Sequence, residues 1–394
     1  MNKMTYKIVL FLFYFLFVIS YYELEWINKI RYLGIALIVI IGIISYLIDK
    51  KKMKEKNTSF NKVSVILYYL MFITLTVTTL FSNYQINSLF KIISLFVLFI
   101  IVFFILPHII NKIGLITHNF LLIYSILLGI GIAFLISPDG HIVSYGARVT
   151  TFETRLKLFF YHPNILGSMC FIAIAFFQLN YVLRTKKISI TNKLLHLFII
   201  VMLIYILYLT NSRTPLYSLI ILQVIIFYRK YLNTFYKKLT IYTLCIAAIP
   251  LYINQVLNMS YEELNILLSD RLYLWNQALN QLLFENKILT GVGSYLNSQL
   301  DSLDLVLIDN GYIYIMYQNG VVALIILLIL SVNTLWSTFR IKVADKIKNY
   351  FLSLFTVYLF IGFFENSLFN ISNLVCITIL STTYYVNKYR AINI

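Results

Sequence analysis

The stretch RYLGIALIVIIGIISYLI (31–48), followed by DKKKMKEKNTSFNK (49–62), decides the fold class of this chain. The first segment is 18 residues long, and Arg31, at its edge, is its one charged residue. An α-helix of about this length crosses the ~30 Å hydrocarbon core of a bilayer. The second segment carries six lysines and two acids, and basic loops of this kind stay on the cytoplasmic side. Together the two segments predict a transmembrane helix that ends in the cytoplasm.

The same pattern extends over the whole chain. Hydrophobic residues make up 60% of the 394 residues, the mean hydropathy is +0.84, and charged residues are 12%, whereas soluble domains carry about 25% charged residues. Apolar runs of near-spanning length recur at 5–22, 31–48, 63–81, 88–106, 119–137, 164–183, 194–210, 213–228, 239–256, 312–332, 350–364 and 369–387. They predict a single all-α transmembrane domain over residues 1–394, a polytopic membrane protein with about 12 transmembrane helices.

The distribution of charge orients this domain. Lys3 and Lys7 precede the continuous apolar stretch from Ile8 to Ile19, and no small-residue cleavage site follows it, so we expect a retained first span with a cytoplasmic N-terminus. In this topology 23 of the 32 Lys and Arg residues face the cytoplasm with three acids, and nine face outside with twelve acids. The resulting +20 and −3 account for the net charge of +17. The basicity is therefore a topology signal, which excludes nucleic acid as the partner and places both termini on the cytoplasmic side of the cell membrane.

Two connections are long, and this orientation places both outside. They are a first extracytoplasmic loop at 138–163 and a second at 257–311. The second contains apolar residues at helical spacing that predict a short amphipathic helix from about Arg271 to Leu283, capped by Ser269 or Asp270. This helix is expected to lie at the membrane surface or to pack across the bundle. Long loops in compact proteins are usually functional.

Arginines stand out on this slightly acidic outer face. Arg148 and Arg155 lie in the first loop, Arg213 lies in a minimal turn between two spans, and Arg271 begins the amphipathic helix. A phosphate or pyrophosphate headgroup would require such residues, because guanidinium groups bind its oxygens in a bidentate manner. The alternatives are that Arg213 extends to lipid headgroups and that Asp270 offsets the charge of Arg271 at the helix N-terminus.

A transfer to a hydroxyl group also needs a base. The candidates are Asp309, His162 and Glu153, with the alternatives that Asp309 and His162 cap helices and that Glu153 pairs with a nearby arginine. The chain has no Asp-x-Asp pair of the kind that binds a metal–nucleotide sugar among these segments. A cation held by Asp301, Asp304 and Asp309 is the remaining alternative, and we expect neither a metal nor another cofactor.

Three outer motifs together resemble a known family. They are RLKLFFYHPN at 155–164, NSRT at 211–214, and the series of Arg271 with its helix, GVG at 291–293, DNGY at 309–312 and Gly320. In order, side and spacing they are similar to the bacterial O-antigen polymerase and ligase superfamily, and most closely to the Wzy-like repeat-unit polymerases of Gram-positive capsules and exopolysaccharides. The resemblance covers roughly residues 140–330.

The resemblance implies a GT-C-like glycosyltransferase architecture and a metal-independent polysaccharide polymerase. Its donor and acceptor would be oligosaccharide repeats linked to a polyprenyl pyrophosphate, such as undecaprenyl pyrophosphate, and a flippase and a chain-length regulator could be protein partners. Arg155, Arg213 and Arg271, with Arg148 as a fourth, would bind pyrophosphate, and Asp309 would be the base. Asp309-Asn310 stands where the ligase branch has His-Asn, which favours the polymerase over the O-antigen ligase. A lipid-linked oligosaccharide flippase is the alternative from another class.

Overall fold

The computed structural model describes residues 2–50, 62–80, 85–137, 142–146, 152–184, 189–231, 260, 262–263, 271–293, 308–341 and 343–389. Helices dominate these residues. In chain order they are α1 (Lys3–Ile19), α2 (Glu25–Asn28), α3 (Ile30–Lys50), α4 (Lys62–Leu80), α5 (Gln85–Ile100), a π-helical segment (Ile101–Ile105), α6 (Leu106–Ile113), α7 (Leu115–Ile136), α8 (Pro163–Leu183), α9 (Ile190–Leu209), α10 (Arg213–Tyr231), α11 (Arg271–Phe284), α12 (Gly311–Phe339), α13 (Asp345–Phe364) and α14 (Leu374–Tyr389).

The predicted all-α, polytopic fold is confirmed. Six helical segments of the described part are long and apolar enough to cross a membrane, namely Ser88–Ile113, Leu115–Ile136, Pro163–Leu183, Ile190–Leu209, Gly311–Phe339 and Asp345–Phe364. Shorter apolar helices cover Ile30–Ser45, Ile66–Leu80 and Arg213–Tyr228. The apolar run predicted at 239–256 lies outside the described residues. Helices suit a bilayer because they satisfy every backbone polar group within the segment.

One predicted span differs in extent. The apolar run at 88–106 lies within a longer continuous helical unit, in which α5, the π-helical segment and α6 follow one another from Gln85 to Ile113. Gly114 ends this unit with a φ of 91°, a conformation that glycine adopts readily. The chain then enters α7 at once.

The helices pack around a shared apolar core. α1 packs between α3 and α7, α8 contacts α7, α9, α10 and α13, and α12 contacts α4 and α13. α8 is central, since most of its length is buried. α9 has only Leu203 and Leu207 fully buried, and Ile199, Ile200 and Ile206 are partly buried against the core. Most of its other apolar side chains are exposed, as a helix at the lipid boundary requires.

A small β-hairpin stands in the first long loop. β1 (Ile142–Gly146) and β2 (Phe152–Leu156) pair antiparallel, with Tyr145 opposite Glu153. The segment after β2 is joined to the end of α1, because the backbone N–H of Tyr161 donates to the carbonyl of Tyr21 at 2.8 Å. The hairpin therefore lies at the end of the bundle where α1 finishes and α8 begins.

The connection between α13 and α14 turns back into the bundle at this same end. The N–H of Phe369 donates to the hydroxyl of Tyr358 at 3.0 Å, although α13 continues to Phe364. The turn therefore folds back against the last turns of α13 instead of extending beyond its end. Gly362 permits this approach, since a Cβ added there would lie 2.5 Å from Cγ of Leu368. We call this end of the bundle, with the hairpin and the 365–373 turn, the outer mouth.

Candidate active site

Arg155 is the centre of a polar network at the outer mouth. Its Nε donates to the carbonyl of Thr210 at 3.0 Å, and its Nη2 donates to Oδ1 of Asn164 at 2.7 Å and to Oγ of Ser212 at 3.2 Å. These partners come from the start of α8 and from the turn between α9 and α10. One guanidinium group thus holds three separate elements in a fixed arrangement.

Asn164 connects this arginine to a carboxylate. Its Oδ1 accepts from Arg155 and also from the hydroxyl of Ser212 at 3.1 Å. Its Nδ2 donates to Oε1 of Glu365 at 3.1 Å. The amide is therefore oriented, with its oxygen toward the cation and its nitrogen toward the anion.

Glu365 caps the end of α13 and is a site residue that the sequence motifs did not identify. Burial and nearby Asp309 raise the pKa of its carboxyl group, while Arg271, the hydroxyl of Thr214 and Arg155 lower it, and the net pKa is about 7. A carboxyl group with such a pKa can exchange protons near neutral pH. One signal in the sequence could have indicated it, because Glu365 is an acid directly at the outer end of an apolar run, where charge is costly.

Arg271 and Asp309 form an ion pair beside this network. Nε of Arg271 lies 3.7 Å from Oδ2 of Asp309, and the guanidinium lies over the ring of Phe364 at 5.9 Å. Burial raises the pKa of Asp309, and the pairing with Arg271 opposes this shift. The cap of α12 is Asn310, whose Oδ1 accepts from the N–H groups of Tyr312 and Ile313 at 2.9 and 3.0 Å. Asp309 therefore does not serve as the side-chain cap, and its carboxylate faces Arg271.

An interlocked turn positions this ion pair. Residues 287–293, which follow α11, lie against a kink in α12 at Gly320, where φ is 81°. The N–H of Val321 donates to the carbonyl of Ile288 at 2.8 Å, and the N–H of Val292 donates to the carbonyl of Tyr317 at 2.8 Å. A Cβ on Gly320 would lie 1.9 Å from the carbonyl oxygen of Leu289. The backbones approach this closely only because residue 320 is glycine.

His162, the second candidate base, has a capping role in this geometry. Its Nδ1 accepts from the backbone N–H of Asn164 at 3.1 Å, at the first turn of α8. Burial lowers the pKa of the imidazole to about 4, and Arg155 and Lys157 contribute to the shift. A neutral ring that accepts at Nδ1 carries its proton on Nε2, so it can donate a hydrogen bond there, and its lowered pKa makes it a poor base near neutral pH.

The remaining predicted site residues are placed as follows. Arg213 is the first residue of α10, and its side chain is exposed beside the network residue Ser212. Glu153 lies in β2, where its backbone pairs with Tyr145. Arg148 lies outside the described residues. The structure thus brings Arg155, Arg271 and Asp309 together, and it adds Glu365 to them.

The candidate cation site can be described only in part. Asp301 and Asp304 lie outside the described residues. Within the part of the chain that the structure covers, no group of three or more His, Cys, Asp or Glu side chains has a metal-binding arrangement.

A cavity opens next to Glu365 in the outer mouth. Its volume is about 210 Å³, and it lies above the turn that joins α13 to α14. Asn164 and Glu365 form part of its wall, so the cavity and the arginine network share two residues. The further polar side chains that line it are Tyr21, Ser168, Ser367, Asn370, Ser372 and Asn373.

Comparison with known proteins finds a family match for part of the chain. Residues 198–328 match the family model described as O-antigen ligase, a segment that contains Arg213, Arg271, Asp309 and the kink at Gly320. No curated protein matches the chain significantly. Members of the matched family are glycosyltransferase-like or ligase enzymes that use lipid-linked oligosaccharides in a membrane. The chain is accordingly a multi-pass membrane protein in which this segment is similar to the O-antigen ligase family.

Proposed function

We propose that this protein is a metal-independent polysaccharide polymerase of the cytoplasmic membrane, of the Gram-positive type. It joins oligosaccharide repeats that are linked to a polyprenyl pyrophosphate, on the outer face. The observation that carries the proposal is the convergence of Arg155 and Arg271 with two carboxyl groups at one end of the helix bundle. This combination offers cations for a pyrophosphate and a proton acceptor for a hydroxyl group.

The arginines supply the electrostatic part of the reaction. As the bond between the anomeric carbon of the donor sugar and the pyrophosphate oxygen breaks, its electron pair stays on that oxygen. Arg155 is already held by Asn164, Ser212 and Thr210, so it presents charge without reorganisation. Arg271 and exposed Arg213 complete the binding of the leaving group, with Arg148 as a further contact. Donors fixed where charge develops stabilise the transition state more than the ground state.

The carboxyl groups supply the proton chemistry. The hydroxyl oxygen of the acceptor sugar forms the new bond to the anomeric carbon, and its proton passes to a carboxylate. Asp309 is the candidate base suggested by the sequence, and its pairing with Arg271 also orients that arginine. The products are a glycan longer by one repeat on its carrier and a free polyprenyl pyrophosphate.

The test is the replacement of Arg271 or Arg213 by Ala in a strain that depends on this gene. We expect each variant to lower polymer formation by about 10²–10³-fold, the usual effect of removing one donor to a transition-state oxyanion. The lipid-linked single repeat should accumulate on the outer leaflet, which is measured by gel analysis of lipid-linked glycans. Arg340→Ala is the matched control, because Arg340 ends α12 at the opposite end and lies over the ring of Trp336 at 4.5 Å.

The alternative functions give different products in the same assay. An O-antigen ligase variant would leave full-length chains on the carrier. A flippase variant would leave single repeats on the inner leaflet. Full-length polymer from both arginine variants would contradict the proposal.

A further inference from the structure

The cavity in the outer mouth differs in chemistry from the arginine network beside it. Five of its lining residues are apolar, and the others carry hydroxyl groups, amide groups and one carboxyl group. None of its lining residues is Lys, Arg or His. Such a wall does not suit an anion. It suits a neutral ligand with many hydroxyl groups, since amides, hydroxyls and a carboxylate can each exchange hydrogen bonds with them.

One polar group of this wall lacks a partner. Ser367 is fully buried, and its Oγ makes no hydrogen bond with any described residue. Buried polar groups in folded proteins are nearly always paired, and an exception requires an explanation. This oxygen has almost no accessible surface, so a ligand hydroxyl in the adjoining cavity would become its partner only after rotation of the Ser367 side chain.

The cavity wall is held in place by the surrounding helices. The N–H of Leu374 donates to the hydroxyl of Tyr21 at 3.2 Å, which joins the start of α14 to the end of α1. Oδ1 of Asn373 caps α14 by accepting from the N–H of Val375 at 2.9 Å. Ser168 lies one helical turn after Asn164, so both side chains belong to one face of α8. A volume of about 210 Å³ on a wall of this kind is on the scale of a single sugar ring rather than an oligosaccharide.

Asn164 and Glu365 belong to both the arginine network and the cavity. A pyrophosphate at the arginines and a hydroxyl-rich ligand in the cavity would therefore lie side by side. The amide of Asn164 contacts Arg155 on one side and Glu365 on the other, and both residues line the cavity. We propose that this cavity binds the terminal sugar of the acceptor glycan, and that Glu365 takes the proton from its attacking hydroxyl group. The inference rests on the proposed function, because it assigns the acceptor half of that reaction.

The assignment completes the proton balance of the transfer. The acceptor O–H bond breaks, its oxygen bonds to the anomeric carbon of the donor, and the proton moves to the carboxylate of Glu365. The bond from the anomeric carbon to pyrophosphate breaks, and that electron pair remains with the pyrophosphate oxygen beside the arginines. Asp309 then acts as a positioning residue for Arg271. The raised pKa of Glu365, about 7, suits a base that must be regenerated near neutral pH.

Binding to the purified full-length protein in nanodiscs tests the cavity. The probe is the free oligosaccharide of one repeat, released by mild acid from the lipid-linked repeat of a deletion strain. Ser168→Leu should fill the cavity and weaken the affinity for this probe at least 10-fold, and the milder Ser168→Ala should weaken it about 3-fold. Gln223→Leu is the matched control at the opposite end of the bundle, and its affinity should equal that of the wild type.

The catalytic part is tested with Glu365→Gln. Polymerisation should fall by about 10²–10⁴-fold, while affinity for the free oligosaccharide stays within about 3-fold. In the wild type the rate should rise as the pH increases through about 7, because the carboxylate form is the base. That rise should be absent from the residual rate of the variant.

The outcomes separate this inference from the proposed function. If Arg271→Ala forms normal polymer, the proposed function is wrong whatever the cavity binds. If Arg271→Ala blocks polymer but both Ser168 variants bind the oligosaccharide as the wild type does, the sugar subsite alone is wrong. Normal polymer and an unchanged pH profile in Glu365→Gln would overturn the role of Glu365.

Discussion

The outer mouth and the opposite end of the bundle both contain a cavity with basic residues nearby, yet they differ in how those residues are connected. The cavity at the opposite end is larger, about 390 Å³, and its lining residues include Arg184, Lys193 and His196 but no acid. Arg184 lies over the ring of Phe120 at 5.3 Å. At the outer mouth, Arg155 and Arg271 are instead held by amide and carboxyl groups from other helices.

Under the proposed function, polar connectivity rather than cavity volume would distinguish the reactive end from the opposite end. The predicted topology would account for Lys and Arg at the opposite end, because basic residues accumulate on the cytoplasmic side. It would not account for the arginines at the outer mouth, which must be held in fixed positions to act on a substrate. The carboxyl groups and amides provide that position, and they also provide a proton acceptor.

The largest expected difference between the two ends is in activity. Arg155→Ala should lower polymer formation by about 10³-fold, equivalent to about 4 kcal/mol, because it removes a cation and releases three contacts. Arg155→Lys should not restore it, since an ammonium group cannot reproduce the planar fork. Arg184→Ala at the opposite end should leave polymer within about 2-fold of the wild type, as measured on the same gels. If Arg155→Ala and Arg184→Ala lowered polymer formation equally, the two ends of the bundle would not differ in function.

A smaller effect is expected on stability, from the glycine that positions Arg271 and Asp309. Gly320→Ala should lower the free energy of unfolding by about 2–4 kcal/mol, through the positive φ and the clash with Leu289. Gly131→Ala in α7 is the control, because an added Cβ there meets no atom within 4 Å. The control should be neutral or slightly stabilising. Thermal unfolding in detergent would measure both, and equal midpoints would show that the interlocked turn is not required.

The smallest effect concerns the pH dependence of stability. The pKa of Glu365 is raised from 4.5 to about 7 in the folded protein, so the folded state binds this proton more tightly than the unfolded state. The contribution of Glu365 to stability should therefore fall as pH rises from about 4.5 to about 7. Glu365→Gln should gain roughly 2–3 kcal/mol relative to the wild type between pH 5 and pH 8. The measurement is the unfolding of both proteins at pH 5 and at pH 8. The same stability difference between Glu365→Gln and the wild type at both pH values would contradict the raised pKa of this carboxyl group.

Most of the helices could be predicted because hydropathy depends on composition alone. The run at 164–183 corresponds to α8 (Pro163–Leu183), and the amphipathic helix predicted from Arg271 to Leu283 corresponds to α11 (Arg271–Phe284). The kink at Gly320 could not be predicted in this way. The apolar run continues through it, and the positive φ results from contact with the 287–293 turn.

The site could be predicted only where its residues stand out locally. Arginines on a face predicted to be acidic do so, and the structure brings both Arg155 and Arg271 near Glu365. The β-hairpin depends on pairing between residues about ten positions apart, for which the sequence carries no strong turn signal. Glu365 acquires its properties from Asn164, Thr214 and Asp309, which lie on other helices. No spacing within the sequence encodes that neighbourhood.

The low position of the turn between α13 and α14 has a consequence for the lipid carrier. Because Phe369 reaches the hydroxyl of Tyr358, the floor of the outer mouth lies below the end of α13. In the proposed reaction, a sugar–pyrophosphate group would then meet its partner without pulling the polyprenyl chain out of the hydrocarbon. Each methylene withdrawn into water would cost about 0.8 kcal/mol. Because the site lies close to the hydrocarbon, the lipid carrier would not have to be extracted, and this cost would not add to the activation free energy.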